Sequence, residues 1–215
     1  MNVLVIGAGG KVGREIVKAL ASAAGKTPVA QVRHQQQADD YRQQGIETRL
    51  IDLEADVATF VDAMQGIDAI IFSAGSGAST GDDKTLLVDL DGAIKTIQAA
   101  EEAGIKRYVM VSAIGADRRE RWNDALLPYY AAKHYADEWL AASGLYYTIL
   151  RPGALTDEAG TQQIDVGYPT TPGGNIPRAD VAAVALAALD EPATLGKAFD
   201  FVGGRQPIDE ALKAL

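Results

Sequence analysis

A cluster of glycines lies where an apolar run gives way to an amphipathic segment near the start of the chain. The sequence opens MNVLVIGAGGKVGREIV, and the apolar residues Val3–Ile6 lead directly into Gly7. The spacing G-x-x-G-x-x-G fits Gly7, Gly10 and Gly13, whereas G-x-G-x-x-G fails because Val12 stands in its last position. A glycine turn between a strand and a helix presents backbone N–H groups to a phosphate. The pattern therefore predicts a dinucleotide site, and a tight turn without a ligand is the alternative.

A cation ends the second apolar run. The segment VAQVRHQQQ contains Arg33, and no acidic residue follows until Asp39. Sites selective for NAD usually carry Asp or Glu at this point to bind the ribose 2′-hydroxyl, whereas a guanidinium suits the 2′-phosphate of NADP. Lys11, inside the glycine turn, can add a second positive charge. We expect NADP(H) to be preferred over NAD(H), unless both cations are solvated surface groups.

Apolar, β-rich runs alternate with longer helical patterns, and these elements must position the site. The predicted strands are Asn2–Ile6, Val29–Arg33, Glu47–Ile51, Ala69–Ser73, Tyr108–Ser112, Tyr146–Leu150 and Ala198–Val202. The predicted helices are Lys11–Ala23, Ala38–Gln44, Val57–Met64, Thr85–Ala103, Pro128–Ala142 and Ala179–Leu189, with a short helix at Asp209–Ala214. Repeated strand–helix–strand units require parallel crossovers. We therefore predict a Rossmann-type doubly wound parallel sheet of about seven strands in a three-layer α/β/α sandwich.

Composition limits the possible partners. The net charge of -9 argues against a sequence-independent grip on nucleic acid or an anionic membrane, and the absence of cysteine excludes disulfides and thiolate chemistry. His34 and His134, the two histidines, are too far apart in the sequence to suggest a metal site. The longest late apolar run, Val181–Leu189, is far shorter than the ~20 residues of a membrane span. We expect a single cytoplasmic domain over residues 1–215 that binds a small-molecule substrate as a monomer or homodimer.

Eight short segments occur in a characteristic order. They are GAGGKVG at 7–13, VR at 32–33, DL at 52–53, FSAGSG at 72–77, VDLDGAIKTIQAAEEAGIKRYVMVSAIGAD at 88–117, PYYAAKHYAD at 128–137, LYYTILRPGALTDEAGT at 145–161 and PRADVA at 177–182. With these segments the chain resembles an atypical short-chain dehydrogenase/reductase. It is similar to the small NAD(P)-binding proteins grouped with NAD-dependent epimerase/dehydratases and with NmrA-like proteins. The resemblance covers essentially the whole chain.

The resemblance implies cofactor contacts for residues that follow the predicted strands. They are Gly7, Gly10, Lys11, Val12 and Gly13 at the pyrophosphate; Arg33 at the 2′-phosphate; Asp52 and Leu53 at the adenine; Ser73, Ala74 and Gly75 along the nicotinamide ribose; and Pro152, Gly153, Ala154 and Leu155 at the nicotinamide. All these positions fall at the carboxyl ends of strands, where open α/β sheets bind ligands.

The same resemblance implies proton transfer by a Tyr-x-x-x-Lys pair and a serine at the end of the fifth strand. Tyr129 lies four residues before Lys133, whereas Tyr130 lies three before it. Residues four apart share a helix face, so Tyr129 and Lys133 can both reach the nicotinamide ribose. Tyrosine has a reference pKa of about 10, and we expect the ammonium to lower it. Ser112 would orient the substrate oxygen.

Two alternatives stay open. The fifth strand ends VSAIG, with one serine where the familiar pattern has two, so Lys133 can simply hold the ribose while Tyr129 packs. Residues 113–128 and 154–176 form candidate substrate walls, and the sequence continues only a short way past its seventh strand. Bulky nucleotide sugars are therefore less expected than a small carbonyl or quinone-like acceptor. We expect an NADP(H)-dependent oxidoreductase; the rival is a non-catalytic NADP(H)-binding redox sensor.

Overall fold

The computed structural model describes residues 1–77, 80–167 and 174–215. The strands are β1 (Asn2–Ile6), β2 (Thr27–Val32), β3 (Glu47–Leu50), β4 (Ala69–Phe72), β5 (Arg107–Val111), β6 (Tyr146–Pro152), β7 (Ala154–Thr156), β8 (Gln163–Val166), β9 (Asn175–Pro177), β10 (Lys197–Gly203) and β11 (Gln206–Pro207). The helices are α1 (Lys11–Ser22), α2 (Gln35–Gln43), α3 (Val57–Ala63), α4 (Asp82–Lys84), α5 (Ala93–Glu102), α6 (Leu127–Ala142), α7 (Arg178–Asp190) and α8 (Ile208–Lys213). Every predicted strand and helix has a counterpart in this order.

The central sheet confirms the predicted Rossmann-type fold. Seven strands, in the order β3-β2-β1-β4-β5-β6-β10, pair in parallel. Val3 of β1 lies beside Pro28 of β2 on one side and Ala69 of β4 on the other. The strand order reverses at β1, and a crevice opens at the carboxyl ends of strands on either side of such a reversal.

Two antiparallel strands extend the sheet beyond the predicted seven. β8 pairs with β10, with Val166 beside Phe201, and β11 pairs with β8, so the sheet has nine strands. β7 pairs with β9 in a separate two-stranded sheet. The predicted substrate segment 154–176 therefore includes β7, β8 and the start of β9; its residues 168–173 lie outside the described part of the chain.

The core has two layers because strand side chains alternate between the two faces of the sheet. Val3 and Val5 of β1 pack on the face covered by α1, α2, α7 and α8. Leu4 and Ile6 pack on the opposite face, against α3, α5 and α6. Both faces of β1 are thus dry, as its continuous apolar sequence predicts.

A π-helical segment interrupts the helix that follows β4. Residues Thr85–Gly92 join α4 to α5, and Val88 and Asp89 are buried within this segment. Such wide turns are uncommon and are found mostly at functional sites. Here the segment brings Val88 and Asp89 to the carboxyl edge of the sheet.

Two further observations concern the residues that the structure describes. None of their helices combines the length and apolar character needed to cross a membrane. None of their histidine, aspartate and glutamate side chains form a group of three or more able to hold a metal ion.

Candidate functional site

The glycine turn after β1 is built around the Gly7 peptide. Gly7 has a φ of +82°, and a Cβ at this position would lie 2.6 Å from Ala74 Cα, so both conformation and packing require glycine. Gly10 N donates a hydrogen bond to Gly7 O at 3.0 Å. A Cβ on Gly13 would lie 2.2 Å from the same oxygen. The three glycines of the predicted spacing therefore form one compact unit against the end of β4.

Helix α1 begins immediately after this unit. Its N-cap residue, Gly10, supplies no side-chain hydrogen bond, and its first turn contains no acidic residue. Val12 is buried in the core beneath the turn. The first N–H groups of α1 are thus uncapped by side chains, and the helix dipole adds a positive potential there. This arrangement fits the pyrophosphate of a dinucleotide.

A groove of about 210 Å³ runs from the glycine turn across the carboxyl ends of β1, β2 and β4. Its lining comprises Gly7, Gly9, Gly10, Gln31, Val32, Arg33, Gln37, Asp52, Leu53, Ser73, Ala74, Gly75 and Val88. The sequence indicated eight of these residues; it missed Gly9, Gln31, Val32, Gln37 and Val88. The groove lies where the strand order reverses, which is the usual ligand site of this kind of sheet.

The two cations expected near phosphates lie in different places. Arg33 lines the groove, and its Nε donates to His34 Nε2 at 3.0 Å. Lys11 lies outside the groove lining, where its Nζ is 2.7 Å from Asp157 Oδ2. Asp157 also pairs with Arg178 at 2.5 Å. Arg33 therefore lies in the groove, where its contact with an adenosine phosphate stays a prediction, whereas Lys11 links the glycine turn to the segment after β7.

Asp52 and Leu53 follow β3 at the other wall of the groove. Leu53 is buried, and with Val88 it gives this wall an apolar surface. Asp52 is exposed, and its Oδ1 accepts a hydrogen bond from Glu54 N at 3.0 Å. An apolar surface with a carboxylate at its rim fits a purine that carries an amino group, so the predicted adenine contact stays a prediction with a suitable site.

Lys133 and Asp89 form a buried ion pair beside the groove. Their side chains are 5% and 1% exposed, and Nζ lies 3.3 Å from Oδ1. Lys133 Nζ also donates to Ala74 O at 3.3 Å, and Asp89 Oδ2 accepts from Ser76 N at 2.8 Å. A Cβ on Gly75 would lie 3.0 Å from Asp89 Oδ1. The pair therefore holds the segment after β4 on both sides of Gly75.

For Asp89 the sequence suggests a structural role or a place at the border of the cofactor cleft, without a firm assignment. A carboxylate in the otherwise apolar stretch LLVDL is a signal for a buried charge, but the sequence does not show its partner. Its neighbour Asp91 differs, because it pairs with Lys95 at 2.9 Å and is half-exposed. The π-helical segment Thr85–Gly92 thus contains one buried carboxylate, Asp89, and one half-exposed carboxylate, Asp91.

Tyr129 lies one helical turn before Lys133, with Nζ 5.8 Å from the centre of its ring. Burial raises the pKa of Tyr129; the Lys133 ammonium opposes that shift, and the Asp89 carboxylate adds to it. The Lys133 ammonium acts in the expected direction and lowers this pKa, but the net direction is upward. The physical reason is that burial dominates and Asp89 offsets the ammonium charge. At neutral pH the phenol is protonated.

Lys133 itself stays charged. Burial lowers its pKa, but the carboxylate of Asp89 and the neighbouring Tyr129 outweigh burial, and the net direction is upward. The ammonium is therefore available as a permanent hydrogen-bond donor.

Ser112 follows β5 and is buried. Its N donates to Leu150 O at 2.7 Å, and its buried Oγ faces the Asp137 carboxylate. Burial raises the pKa of that carboxyl, and the Ser112 hydroxyl lowers it. The sequence led us to expect that this oxygen would orient a substrate. In this conformation the oxygen is enclosed by protein and is not presented to a substrate. The reason is the inward direction of the side chain at the end of a strand buried on both faces.

The predicted substrate segment 113–128 packs an aromatic cluster against α6. The Trp122 ring is nearly parallel to that of Tyr130, with centroids 6.2 Å apart, and meets His134 edge-on at 5.5 Å. The Arg119 guanidinium lies 5.1 Å from the centre of the Trp122 ring. The predicted substrate segment is therefore joined to α6 by aromatic contacts.

A buried network of charges anchors the same segment to the sheet. Arg151 of β6 lies 2.9 Å from both Asp117 and Asp137, and Arg118 pairs with Asp117 and with Asp200 of β10. Burial raises the pKa of Asp137 and of Asp200, and the paired arginines oppose both shifts. Removing one member would leave a buried charge unpaired, so the network fixes the position of the segment.

The residues expected at the nicotinamide, Pro152, Gly153, Ala154 and Leu155, span the end of β6 and the start of β7. A Cβ on Gly153 would lie 2.2 Å from Gly174 O, and Ala154 N donates to that oxygen at 3.0 Å. They lie at the same edge of the sheet as the groove, and their contact with a cofactor stays a prediction.

Comparisons with known proteins agree with this geometry. A family model described as NAD(P)H-binding matches residues 7–192. The chain is 50% identical over 215 residues to the uncharacterized sugar epimerase YhfK of Bacillus subtilis, and the match covers 100% of both chains. A solved structure from Bacillus halodurans, described as a candidate NAD-dependent epimerase/dehydratase, superposes with a TM-score of 0.94 at 42% identity and covers 100% of both chains. The structure of ChuY, an anaerobillin reductase from Escherichia coli O157:H7, superposes with a TM-score of 0.81 at 29% identity, covering 94% of this chain and 97% of that one.

The matched residues include the glycine turn, the groove and α6. Since the family model covers most of the sequence and a relative at 50% identity spans all of it, the chain belongs to the NAD(P)H-binding family of Rossmann-fold proteins.

Proposed function

We propose that this protein is an NADP(H)-dependent reductase acting on a small carbonyl or quinone-like acceptor. The observation that carries the proposal is the Tyr129 phenol beside the buried Lys133–Asp89 pair. Lys133 in turn donates a hydrogen bond to Ala74 of the groove lining. Because its pKa is raised, the phenol keeps its proton at neutral pH and can act there as a general acid but not as a general base. That protonation state suits the reductive direction that we propose.

Different residues of the groove bind different parts of the cofactor. The N–H groups at the start of α1 serve the pyrophosphate, Leu53 and Val88 pack on the adenine, and Arg33 binds the 2′-phosphate. Preference for NADP over NAD rests on Arg33, since Lys11 is engaged with Asp157. A reduced nicotinamide supplies hydride chemistry when it is bound.

Three side chains act at the nicotinamide end of the site: Tyr129, Lys133 and Asp89. Tyr129 gives its proton to the acceptor oxygen as that oxygen gains negative charge, and the Lys133 ammonium stabilises the resulting phenolate until water reprotonates it. Lys133 Nζ donates to Ala74 O and is paired with the Asp89 carboxylate, and the ammonium has a further hydrogen to donate to a ribose hydroxyl. We assign Ser112 a supporting role in the wall, because its hydroxyl is enclosed.

The aromatic side chains of the segment 113–128 and of α6 suggest which class of acceptor would bind. Trp122 and Tyr130 offer ring faces to which flat, conjugated molecules bind well. The anaerobillin reductase from Escherichia coli supports a reductive reaction for this chain, whereas the name of the Bacillus subtilis relative points to epimerisation of sugars. We favour a planar acceptor with a reducible carbonyl.

The test follows the loss of NADPH absorbance with a panel of aldehydes, diketones and quinones. Tyr129→Phe is expected to lower kcat by about 100-fold or more, since it removes the proton donor. Ser112→Ala is the matched control that also removes one hydroxyl, and we expect it to lose less than about tenfold. Full turnover by Tyr129→Phe would remove the proposed catalytic role.

A redox sensor is the second candidate, and the enclosed Ser112 hydroxyl favours it, because a site with one phenol is poorly equipped to orient a substrate. In that case NADPH binds and its reduction state is read by a partner through the segment 113–128. Tight NADPH binding with no turnover of any panel compound is the result that distinguishes the sensor from the reductase.

A further inference from the structure

Gln31 is a polar side chain that is buried in the sheet where the sheet borders the groove. It lies in β2 and is 3% exposed, on the same face of the strand as Val29. A buried carboxamide costs free energy unless its oxygen and nitrogen are both hydrogen-bonded. A buried Gln31 side chain is therefore expected to have a hydrogen-bond partner for its oxygen and for its nitrogen.

Both ends of the carboxamide are used. Gln31 Oε1 accepts a hydrogen bond from Gly7 N at 2.8 Å, and Nε2 donates to Ile51 O at 2.5 Å. The backbone of Gln31 makes a third contact, because its carbonyl accepts from Ala8 N at 3.1 Å. A donor faces Gln31 on one side and an acceptor on the other, so only a group with one acceptor and one donor fits this place.

Gln31 holds both peptide groups that flank Gly7. Its side chain accepts from the N–H of the Ile6–Gly7 peptide, and its backbone carbonyl accepts from the N–H of the Gly7–Ala8 peptide. Gly7 O accepts from Gly10 N at 3.0 Å, and it lies so close to Gly13 that a Cβ there would approach it to 2.2 Å. The Gly7 carbonyl belongs to the second of these peptide groups, so the turn depends on backbone that Gln31 holds. A shift of the Gly7 peptide would therefore move Gly10 and the start of α1 together.

We propose that Gln31 is a positioning residue for the dinucleotide: it fixes the Gly7 peptide, and through it the N–H groups that meet the pyrophosphate. The inference rests on dinucleotide binding in the groove, which Gln31 also lines. Gln31 acts on affinity through the backbone and takes no part in proton transfer.

Gln31→Glu gives a readout that a general loss of packing would not. A protonated carboxyl can accept from Gly7 N and donate to Ile51 O, whereas a carboxylate cannot donate. Burial raises the pKa of a carboxyl, so the substituted side chain is expected to titrate between about pH 5 and 8. The ratio of variant to wild-type Kd for NADP⁺, measured by calorimetry, should rise at least about tenfold from pH 5.5 to 8.

Two further variants complete the experiment. Gln37→Glu also adds a carboxylate to the groove, but the half-buried Gln37 side chain does not hold Gly7, and its Kd ratio should stay constant over the same pH range. Gln31→Leu serves if the glutamate variant does not fold. It should raise the Kd for NADP⁺ about tenfold at every pH.

The outcomes separate the two proposals. If the wild-type chain binds neither NADP⁺ nor NAD⁺, dinucleotide binding itself fails. If it binds, and Gln31→Glu and Gln31→Leu match its Kd at both pH values, the positioning role of Gln31 is overturned.

Discussion

Replacing Asp89 by asparagine should destabilise the fold strongly, although it changes only one functional group. The carboxylate is 1% exposed and lies 3.3 Å from Lys133 Nζ, so the substitution leaves a buried ammonium without its counter-charge. At that distance and an effective dielectric constant of about 20, the attraction is about 5 kcal/mol. Removing one partner of a buried pair costs about 3–5 kcal/mol in measured cases, which agrees.

The assays are urea denaturation and thermal denaturation, each monitored by circular dichroism. For a chain of this length the loss corresponds to a fall in Tm of about 6–20 °C. Asp91→Asn is the matched control on the same π-helical segment; its pair with Lys95 is half-exposed, so its loss should be below about 1 kcal/mol. Burial lowers the pKa of Lys133, and without Asp89 that effect is no longer fully offset, so this pKa should fall.

A double variant tests the cause. Asp89→Asn combined with Lys133→Met removes the stranded charge, and its loss of stability should be smaller than the sum of the two single losses. The reasoning is refuted if Asp89→Asn costs no more than Asp91→Asn, or if the two losses simply add.

Three other outcomes are expected. Arg33→Ala should raise the Kd for NADPH by at least about tenfold while changing that for NADH less than threefold, measured by fluorescence titration; an unchanged preference would mean that Arg33 does not bind the 2′-phosphate. The kcat of reduction should be flat between about pH 6 and 9, because burial raises the pKa of Tyr129 above 10.0 and the phenol keeps its proton; a fall that begins below pH 9 would contradict this direction. Arg107→Met should lower the free energy of unfolding by about 3 kcal/mol, because Arg107 donates to Ala188 O, Tyr146 O and Thr148 Oγ1; the exposed neighbour Lys106→Met should change it by less than about 0.5 kcal/mol, and equal effects would show that those bonds do not stabilise the fold.

The sheet was predictable because its strands are short apolar runs bounded by turn residues. β1 and β4 read as dry strands in the sequence, and both are. β8 and β11 were not found, since Gln163–Val166 has only one buried residue and Gln206–Pro207 has none. β8 forms against the free edge of β10, and β11 then pairs with β8. The sequence of each strand does not reveal the edge that it meets.

The site was predictable to the extent that fold topology decides it. Parallel strands deliver their carboxyl ends to one edge, so Arg33, Leu53 and Ala74 could be grouped before any coordinates. Side-chain pairing was not predictable in the same way. The pair of Lys133 with Asp89 and that of Lys11 with Asp157 join distant parts of the sequence, and each depends on the exact direction of two helices or loops.

The two outer edges of the nine-stranded sheet offer little to a strand from another molecule. At one edge β3 has four residues and carries the ion pair of Arg49 with Glu47. At the other edge β11 has two residues and ends at Pro207, which has no N–H to donate. Short, charged or proline-containing borders discourage end-to-end joining of sheets. Self-association of this protein should therefore proceed through helical surfaces, and growth of fibres by strand addition to the native fold is disfavoured.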